Sequence, residues 1–172
     1  MKKISFIIVL FSTLSLTAQN NQLKLDLLDI LVFRTLDISY ENQLNDEAAI
    51  GVSMFINFEP KNADFRYNEN FQITPYFRQF LSESKGFEFF GELFGTLNFG
   101  EKDKSTTDDM GITTSDKKNY SDFALGIGGG GRHVSTNGYV FEFNVGVGRN
   151  LFNSKMSRQF VPRFGISVGK QF

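Results

Sequence analysis

The chain has 172 residues with a formal net charge of −1, and it contains 21 Phe and 16 Gly but only 3 Pro, no Cys and no Trp. The near-neutral charge gives no large basic field that would attract nucleic acid. Without Cys, neither a disulfide framework nor a lipid-modified cysteine is expected. Many Phe and Gly with few Pro favour long strands over helices.

The first 18 residues have the three-part pattern of a secretory signal peptide. Lys2 and Lys3 give a positive start, and residues 4–16 form an apolar stretch that is too short to span a bilayer as a helix. Ala18 is a small residue that suits cleavage. We therefore expect residues 1–18 to be a signal peptide that is removed on export, and residues 19–172 to form one domain. A buried N-terminal helix is the alternative interpretation.

The rest of the chain alternates apolar and polar residues with a period of two, which is typical of strands that have one apolar face. Predicted strands lie, in chain order, near residues 23–28, 36–41, 50–58, 71–78, 87–99, 123–128, 138–151 and 162–172. The seventh is the clearest, with Phe141, Phe143 and Val145 on one face and Glu142 and Asn144 on the other. The first is the weakest, because residue 28 breaks its pattern.

The connections between these strands alternate in length. Short connections are predicted at residues 45–47, 82–86 and 135–138, and longer ones at residues 59–70, 100–119 and 150–159. The short turn at residues 29–33 is an exception. Short turns on one side and long loops on the other are the layout of outer-membrane barrels. The pattern thus predicts an all-β fold, an eight-stranded antiparallel up-and-down transmembrane β-barrel with both termini in the periplasm.

A soluble β-sandwich or a lipocalin-like barrel is the alternative fold, since the strands of both also alternate apolar and polar residues. Two features favour the membrane barrel. The polar faces are rich in Gly, Ser and Thr, which suits a narrow interior, and the chain ends on Phe172 in an alternating strand. A closed barrel also satisfies every backbone hydrogen bond without an exposed edge, as lipid requires.

Several segments resemble a known family. They are TAQ at 17–19, LKLDLL at 23–28, LDISYENQL at 36–44, LGIGGGG at 125–131 and FVPRFGISVGKQF at 160–172. Together they are similar to small outer-membrane β-barrel proteins of the Bacteroidota and cover most of the chain after residue 18. The resemblance implies a barrel like the transmembrane part of OmpA or OmpX, located in the bacterial outer membrane with lipid around it. It implies no particular activity.

The end of the chain is similar to the signal that the barrel-assembly machinery reads in such proteins. The residues that carry this likeness are Phe164, Ile166, Val168 and Phe172. Lys170 departs from the family pattern, because that position is usually apolar. The resemblance therefore implies the assembly machinery as a partner, and no other partner or surface ligand is identified.

Gly126, Gly128 and Gly131 have the spacing of a dinucleotide-binding fingerprint. That motif needs a helix N-terminus directly after it to hold the pyrophosphate. Here Arg132, His133 and a predicted turn follow instead. We therefore expect no cofactor, and we interpret these glycines as making room inside a narrow barrel.

Two other groups have residue types that occur in metal or catalytic sites. His133 is the only His, so neither a second His nor a Cys can complete a metal site around it. The acidic residues of the predicted loop at 100–119 are Asp103, Asp108, Asp109 and Asp116. They do not follow the calcium-loop spacing, and neighbouring lysines at 102, 104, 117 and 118 balance them. We expect a solvated, mobile loop and no metal site.

If the apolar faces meet lipid, the opposite faces place charges in the lumen. The predicted lumen charges are Lys24, Asp26, Asp37, Glu41, Arg78, Glu88, Glu92, Arg132, Glu142 and Arg163. Charges in such a place must be paired or hydrated. Because an eight-stranded barrel is just wide enough for its own side chains, we expect a salt-bridge network that plugs the lumen. A narrow polar path or a small-ligand pocket is the alternative.

Three functions are compatible with this pattern. We expect a non-enzymatic barrel with an envelope-structural or surface-interaction role. A porin-like narrow pore, or a barrel that binds or transports a small ligand, is the alternative. A lipid-modifying enzyme is the third, since family members with that activity have catalytic residues near the outer rim. The predicted position of His133 near the periplasmic rim argues against it.

Overall fold

A computed structural model describes residues 21–58, 69–84, 86–107, 113–152 and 159–172. The predicted signal peptide lies outside this part. Eight strands are present: β1 (Asn21–Asp26), β2 (Thr35–Asn45), β3 (Ala48–Asn57), β4 (Glu69–Ser84), β5 (Phe87–Thr107), β6 (Thr113–Val134), β7 (Tyr139–Asn150) and β8 (Phe160–Gln171). Neighbouring strands pair antiparallel in sequence order, and the sheet closes on itself. The predicted all-β, eight-stranded, up-and-down barrel is confirmed.

The barrel closes where β1 pairs with β8, from Gln22 opposite Gln171 to Asp26 opposite Ser167. Backbone hydrogen bonds between Asn21 and Phe172, at 3.1 and 2.9 Å, join the start of β1 to the end of the chain. Asn21 also lies opposite Asn42 near the end of β2, so both residues lie at the end of the barrel that carries the short β2–β3, β4–β5 and β6–β7 connections. We call this the short-turn end and the opposite one the long-connection end.

The alternation of β7 produces the two faces that its sequence predicts. Phe141, Phe143 and Val145 point outward and are 54%, 47% and 64% exposed, whereas Glu142 points inward and is 4% exposed. The same arrangement holds on β8, where Phe164 and Ile166 lie outside and Ser167 is buried. The wall thus has an apolar outer face and a polar inner face.

The bounds predicted for the loop at residues 100–119 were wrong. β5 and β6 continue through much of it, with cross-strand pairing from Gly100 opposite Tyr120 to Thr107 opposite Thr113. Asp103 and Asp116 consequently lie on paired strands, and residues 108 and 109 lie outside the described part. The prediction failed because residues 101–107 and 113–119 are polar on both faces, which removes the alternation signal while the backbone ladder continues.

The first strand, predicted at residues 23–28, lies two residues earlier in the chain. β1 ends at Asp26, and Asp29–Phe33 forms a single π-helical turn before β2. Arg34 closes this turn in the left-handed conformation, with φ of 51°, and its N–H donates to the Asp29 carbonyl. Within the described residues, no helix is long and apolar enough to cross a bilayer.

Candidate functional site

The centre of the lumen holds a cluster of buried charges. Lys24, on β1, places its Nζ 2.8 Å from Glu41 Oε2 and 2.6 Å from Glu142 Oε2. Glu41 lies on the neighbouring strand β2 and Glu142 on β7. Each of the three side chains is 2% exposed or less. The contact brings together residues that are 118 positions apart in the chain, so only barrel closure creates it.

Arg78, on β4, extends the cluster across the lumen. Its guanidinium is 2.8 Å from Glu41, 2.7 Å from Glu142 and 2.7 Å from Glu92. The same group lies over the ring of Phe90, 4.2 Å from its centroid. A guanidinium has five N–H donors in a plane, so it can serve several carboxylates while its face contacts an aromatic ring.

Two further arginines complete the cluster. Arg132 contacts Glu41 at 2.9 Å and also pairs with Glu88, and it lies over the Phe80 ring at 3.9 Å. Arg163 lies 3.6 Å from Glu92. We call the four cations and four anions the central network: Lys24, Arg78, Arg132, Arg163, Glu41, Glu88, Glu92 and Glu142. Its formal charges cancel, which offsets the cost of removing them from water.

Two of the predicted lumen charges lie apart from this network. In the described residues, neither Asp26 nor Asp37 has a cation within ion-pair distance. Asp26 instead accepts hydrogen bonds from the backbone N–H groups of Leu28 (2.9 Å) and Asp29 (3.2 Å) and from Ser167 Oγ (3.2 Å). Asp26 therefore fixes the turn that follows β1, whereas Asp37 faces open space in the lumen.

That space is a cavity of about 60 Å³ between the central network and the long-connection end. Its acidic lining residues are Asp26, Asp29, Asp37, Glu69 and Glu142. Arg78 and Arg163 are the cations that reach it. Arg78 pairs with Glu92 at 2.7 Å, whereas Arg163 lies 3.6 Å from Glu92 and also interacts electrostatically with Asp29 and Asp37. In the described part of the chain, no group of three or more His, Asp or Glu side chains is arranged to hold a metal ion.

Sequence reasoning missed several lumen residues. Tyr76 donates to Glu41 Oε2 at 3.1 Å, and Asp29 lines the cavity, although both were outside the predicted set. Phe90 and Phe94 interrupt the alternation of β5, yet they point inward and are 3% and 2% exposed. The glycines of β6 and β7 could have indicated that these two rings point inward, because large inward side chains need small residues opposite them.

The glycine run of β6 provides this room. A Cβ at Gly126 would meet the ring of Phe94, and one at Gly130 would meet the ring of Phe90 and the backbone carbonyl of Phe143. Residues 126, 128 and 131 lie inside β6, which turns directly into β7 without a helix. The geometry that a dinucleotide fingerprint needs is therefore absent from this described hairpin.

His133 lies at the short-turn end, where its Nδ1 is 2.6 Å from the Gly86 carbonyl and its ring packs against Phe87. The predicted assembly residues lie on β8 or directly after it. Phe164, Ile166 and Phe172 are exposed, and Val168 is partly exposed. Lys170 lies over the Tyr139 ring and donates to the Asn137 carbonyl at 2.5 Å, which keeps its charge at the rim of the barrel.

Comparisons with known proteins identify no relative: the sequence matches no protein-family model, and no curated protein or solved structure is similar to it.

Proposed function

We propose that this protein is exported, loses residues 1–18 as a signal peptide, and spans the bacterial outer membrane as a small non-enzymatic barrel. Its role there is structural support of the envelope or contact with the surroundings through the long connections. One observation carries the proposal: the barrel is apolar outside and charged inside, which is the reverse of a water-soluble barrel.

The apolar outer face covers most of the wall. Large apolar side chains that are exposed on β1 and on β3–β8 include Leu23, Val52, Met54, Phe77, Leu93, Leu97, Leu125, Ile127, Phe141, Val145, Phe164 and Ile166. On β2, Leu44 is exposed, whereas Leu36, Ile38 and Tyr40 are only partly exposed. A water-soluble monomer rarely exposes a contiguous apolar patch beyond a few hundred Å². In hydrocarbon lipid, an exposed apolar surface carries no hydration penalty. A closed β-barrel is, besides the α-helix, the structure that can span a bilayer with all its backbone hydrogen bonds satisfied.

The central network supports a closed lumen over the pore alternative. Three of its cations and three of its carboxylates are nearly inaccessible to solvent and contact one another across the full width of the interior. An ion that crossed would have to separate these pairs. We expect no single-channel conductance in planar bilayers, whereas steady ohmic conductance at neutral pH would favour the porin-like alternative.

Cell fractionation tests the location itself. We expect the mature protein in the outer-membrane fraction, with a gel mobility that changes on heating because the closed strand network resists detergent until it is boiled. Recovery of the mature protein from the soluble periplasm, with no heat-dependent shift, would contradict the proposed function.

The terminal residue tests the proposed assembly signal. We expect deletion of Phe172 to lose most of the membrane-inserted protein, because Phe172 completes the β1–β8 seam through backbone hydrogen bonds with Asn21. Shortening the connection at residues 108–112 is the matched control, since connections tolerate deletion. Equal yields of heat-shifting protein from the two variants would contradict this role for Phe172.

A further inference from the structure

The outer face of the wall has an open groove across strands β5–β8, which we call the outer groove. Its volume is about 310 Å³, at the lower end of the range of about 300–1,000 Å³ that is usual for small-ligand sites. The apolar side chains along it are Leu93, Leu125, Ile127, Val147 and Phe160, and all five are exposed. The outer groove therefore opens to the surroundings of the barrel and is separate from the cavity in the lumen.

Arg149 is the one charged residue that lines the outer groove. Its backbone pairs with Leu125 on β6 and with Phe160 on β8, so strands on both sides fix its place in the wall. The residue is exposed, and within the described part of the chain no carboxylate pairs with it. A cation thus lies at the border of an apolar groove without an anionic partner among those residues.

The position of Arg149 along β7 places it at the edge of the apolar band. It lies ten positions after Tyr139, and every outward residue between them is apolar: Phe141, Phe143, Val145 and Val147. A strand rises about 3.3 Å per residue and tilts by about 35–45° in membrane barrels, so ten residues cover roughly 23–27 Å of height. The apolar band of such barrels is about 25 Å tall.

Tyr139 and Arg149 therefore mark the two borders of this band on β7. Tyr139 lies at the short-turn end, where Lys170 contacts its ring, and aromatic residues are typical of that border. Arg149 lies at the border nearest the long-connection end, at the height where lipid headgroups begin. A charged side chain costs much less there than at the middle of the bilayer, and its apolar stem can lie along the wall.

We propose that the outer groove binds an acyl chain of an anionic lipid whose phosphate headgroup pairs with the Arg149 guanidinium. The chain lies against Leu93, Ile127 and Val147, and the phosphate lies at the border of the apolar band. This inference rests on the proposed membrane location and adds to it the class of lipid that this side of the barrel holds.

The class of lipid follows from charge and geometry. A guanidinium can donate two parallel N–H bonds to the oxygens of one phosphate. A lipid with a net negative charge gains this contact in full, whereas the ammonium of a zwitterionic headgroup competes for its own phosphate. A second copy of the chain is a poorer occupant, because docking groove to groove would bring two Arg149 side chains together.

The test uses Trp fluorescence, because the chain contains no Trp of its own. Val145→Trp places an indole on the outer face of β7, beside the outer groove but outside its lining. The protein is reconstituted into phosphatidylcholine vesicles with increasing fractions of a lipid that has brominated chains, since bromine quenches a nearby indole. We expect brominated phosphatidylglycerol to reach half of its quenching at a mole fraction about fivefold lower than brominated phosphatidylcholine.

Two variants in the Val145→Trp background separate the charge from the groove. Arg149→Gln removes the charge and should abolish the preference, so that both lipids quench at the same mole fraction. Val147→Phe keeps Arg149 and fills part of the outer groove, and should also reduce the preference. Met54→Trp is the matched control, because it reports on the exposed outer face of β3, three strands away from β6, and should show no preference.

Four results would overturn the inference. The first two are a preference that survives Arg149→Gln and an equal preference at position 54. The third is relief of the quenching by excess inorganic phosphate, which would mean an anion site that needs no acyl chain. The fourth is weak quenching by both lipids at position 145 with strong quenching at position 54, which would mean that a second copy covers the outer groove.

The heat-dependent gel shift of every sample separates these outcomes from failure of the proposed function. Protein that shifts on heating but shows no lipid preference contradicts the lipid site alone. Protein that neither inserts into vesicles nor shifts contradicts the membrane barrel.

Discussion

The two faces of the barrel wall place opposite demands on the same strands. On β7, Phe141 and Phe143 present apolar rings outward, while Glu142 between them pairs inward with Lys24 and Arg78. The outer face depends on the average character of many side chains, so one apolar residue can replace another. The inner face depends on specific pairs, because each buried charge needs its partner at hydrogen-bond distance.

The inner face itself has two parts. The central network brings its charges together until they cancel, and it fills the lumen with salt bridges and aromatic rings. Toward the long-connection end, the aspartates at 26, 29 and 37 line open space instead. The central network consists of close ion pairs, whereas Asp29 and Asp37 lie beside open space with Arg163 as a more distant electrostatic partner. Substitutions on the two faces, and in the two parts of the lumen, should therefore change the free energy of unfolding by different amounts.

The largest effect is expected from breaking the central network. Glu142→Leu removes a carboxylate that lies 2.6 Å from Lys24 and 2.7 Å from Arg78, and it leaves both cations without one partner. Breaking a buried pair in this way lowers the free energy of unfolding by about 3–5 kcal/mol. Denaturant unfolding of the variant in lipid vesicles measures the loss.

Phe143→Leu is the matched control for this prediction. It changes the neighbouring residue on the outer face and keeps an apolar group there, so it should lower the free energy of unfolding by less than about 1.5 kcal/mol. A larger loss for Phe143→Leu than for Glu142→Leu would mean that β7 faces the other way, since a shift of one residue exchanges the two faces. Equal, small losses would indicate a hydrated lumen.

An intermediate effect is expected where the lumen has no room for a side chain. Gly130→Ala places a methyl group against the Phe143 carbonyl and the Phe90 ring, and this should lower the free energy of unfolding by about 1–3 kcal/mol. Gly91→Ala adds the same methyl group where nothing lies within 4 Å, and should change stability by no more than about 0.5 kcal/mol. Equal thermal shifts for the two variants would contradict the close packing of Phe90 against β6.

The smallest effect is expected in the cavity. Asp37→Asn keeps the shape of the side chain and removes one carboxylate from a cavity that several carboxylates line, so it should leave the free energy of unfolding unchanged or raise it by up to roughly 1 kcal/mol. Glu41→Gln makes the same chemical change in the central network and should be strongly destabilising, because three cations contact Glu41. A loss of stability in Asp37→Asn that matches the loss in Glu41→Gln would show that Asp37 is paired.

The sequence predicts those parts of the fold that repeat along one strand. Alternation alone identified β7 and β8, their two faces and the number of strands, because each position is judged against its near neighbours. Polar strand ends give no such signal, which is why β5 and β6 are longer than expected. The early end of β1 was missed for a related reason: residues 27–33 are mostly apolar without alternation, and the turn forms around Asp26.

The candidate site is less predictable, because its contacts cross the lumen. Lys24 meets Glu142 and Arg132 meets Glu41 across 118 and 91 positions of chain, and the closure register of the barrel decides both pairs. Sequence reasoning could place ten charges on the inner face, yet it could not tell that eight of them join one network while Asp26 and Asp37 stay apart. Pairing between β1 and β8 likewise ends at Asp26 although β8 begins at Phe160, and alternation does not reveal this difference in strand length.

The proposed lipid-facing orientation of the wall can be measured residue by residue. Because the chain has no Cys, single cysteines at each position from 139 to 148 of β7 can carry a spin label in lipid vesicles. Collision rates with oxygen, which concentrates in hydrocarbon, and with a water-soluble nickel chelate then report the environment of each label. We predict high oxygen collision at 141, 143, 145 and 147 and low collision with both reagents at 142 and 144. High nickel collision at the odd positions, or a reversed alternation, would contradict a barrel whose apolar face meets lipid.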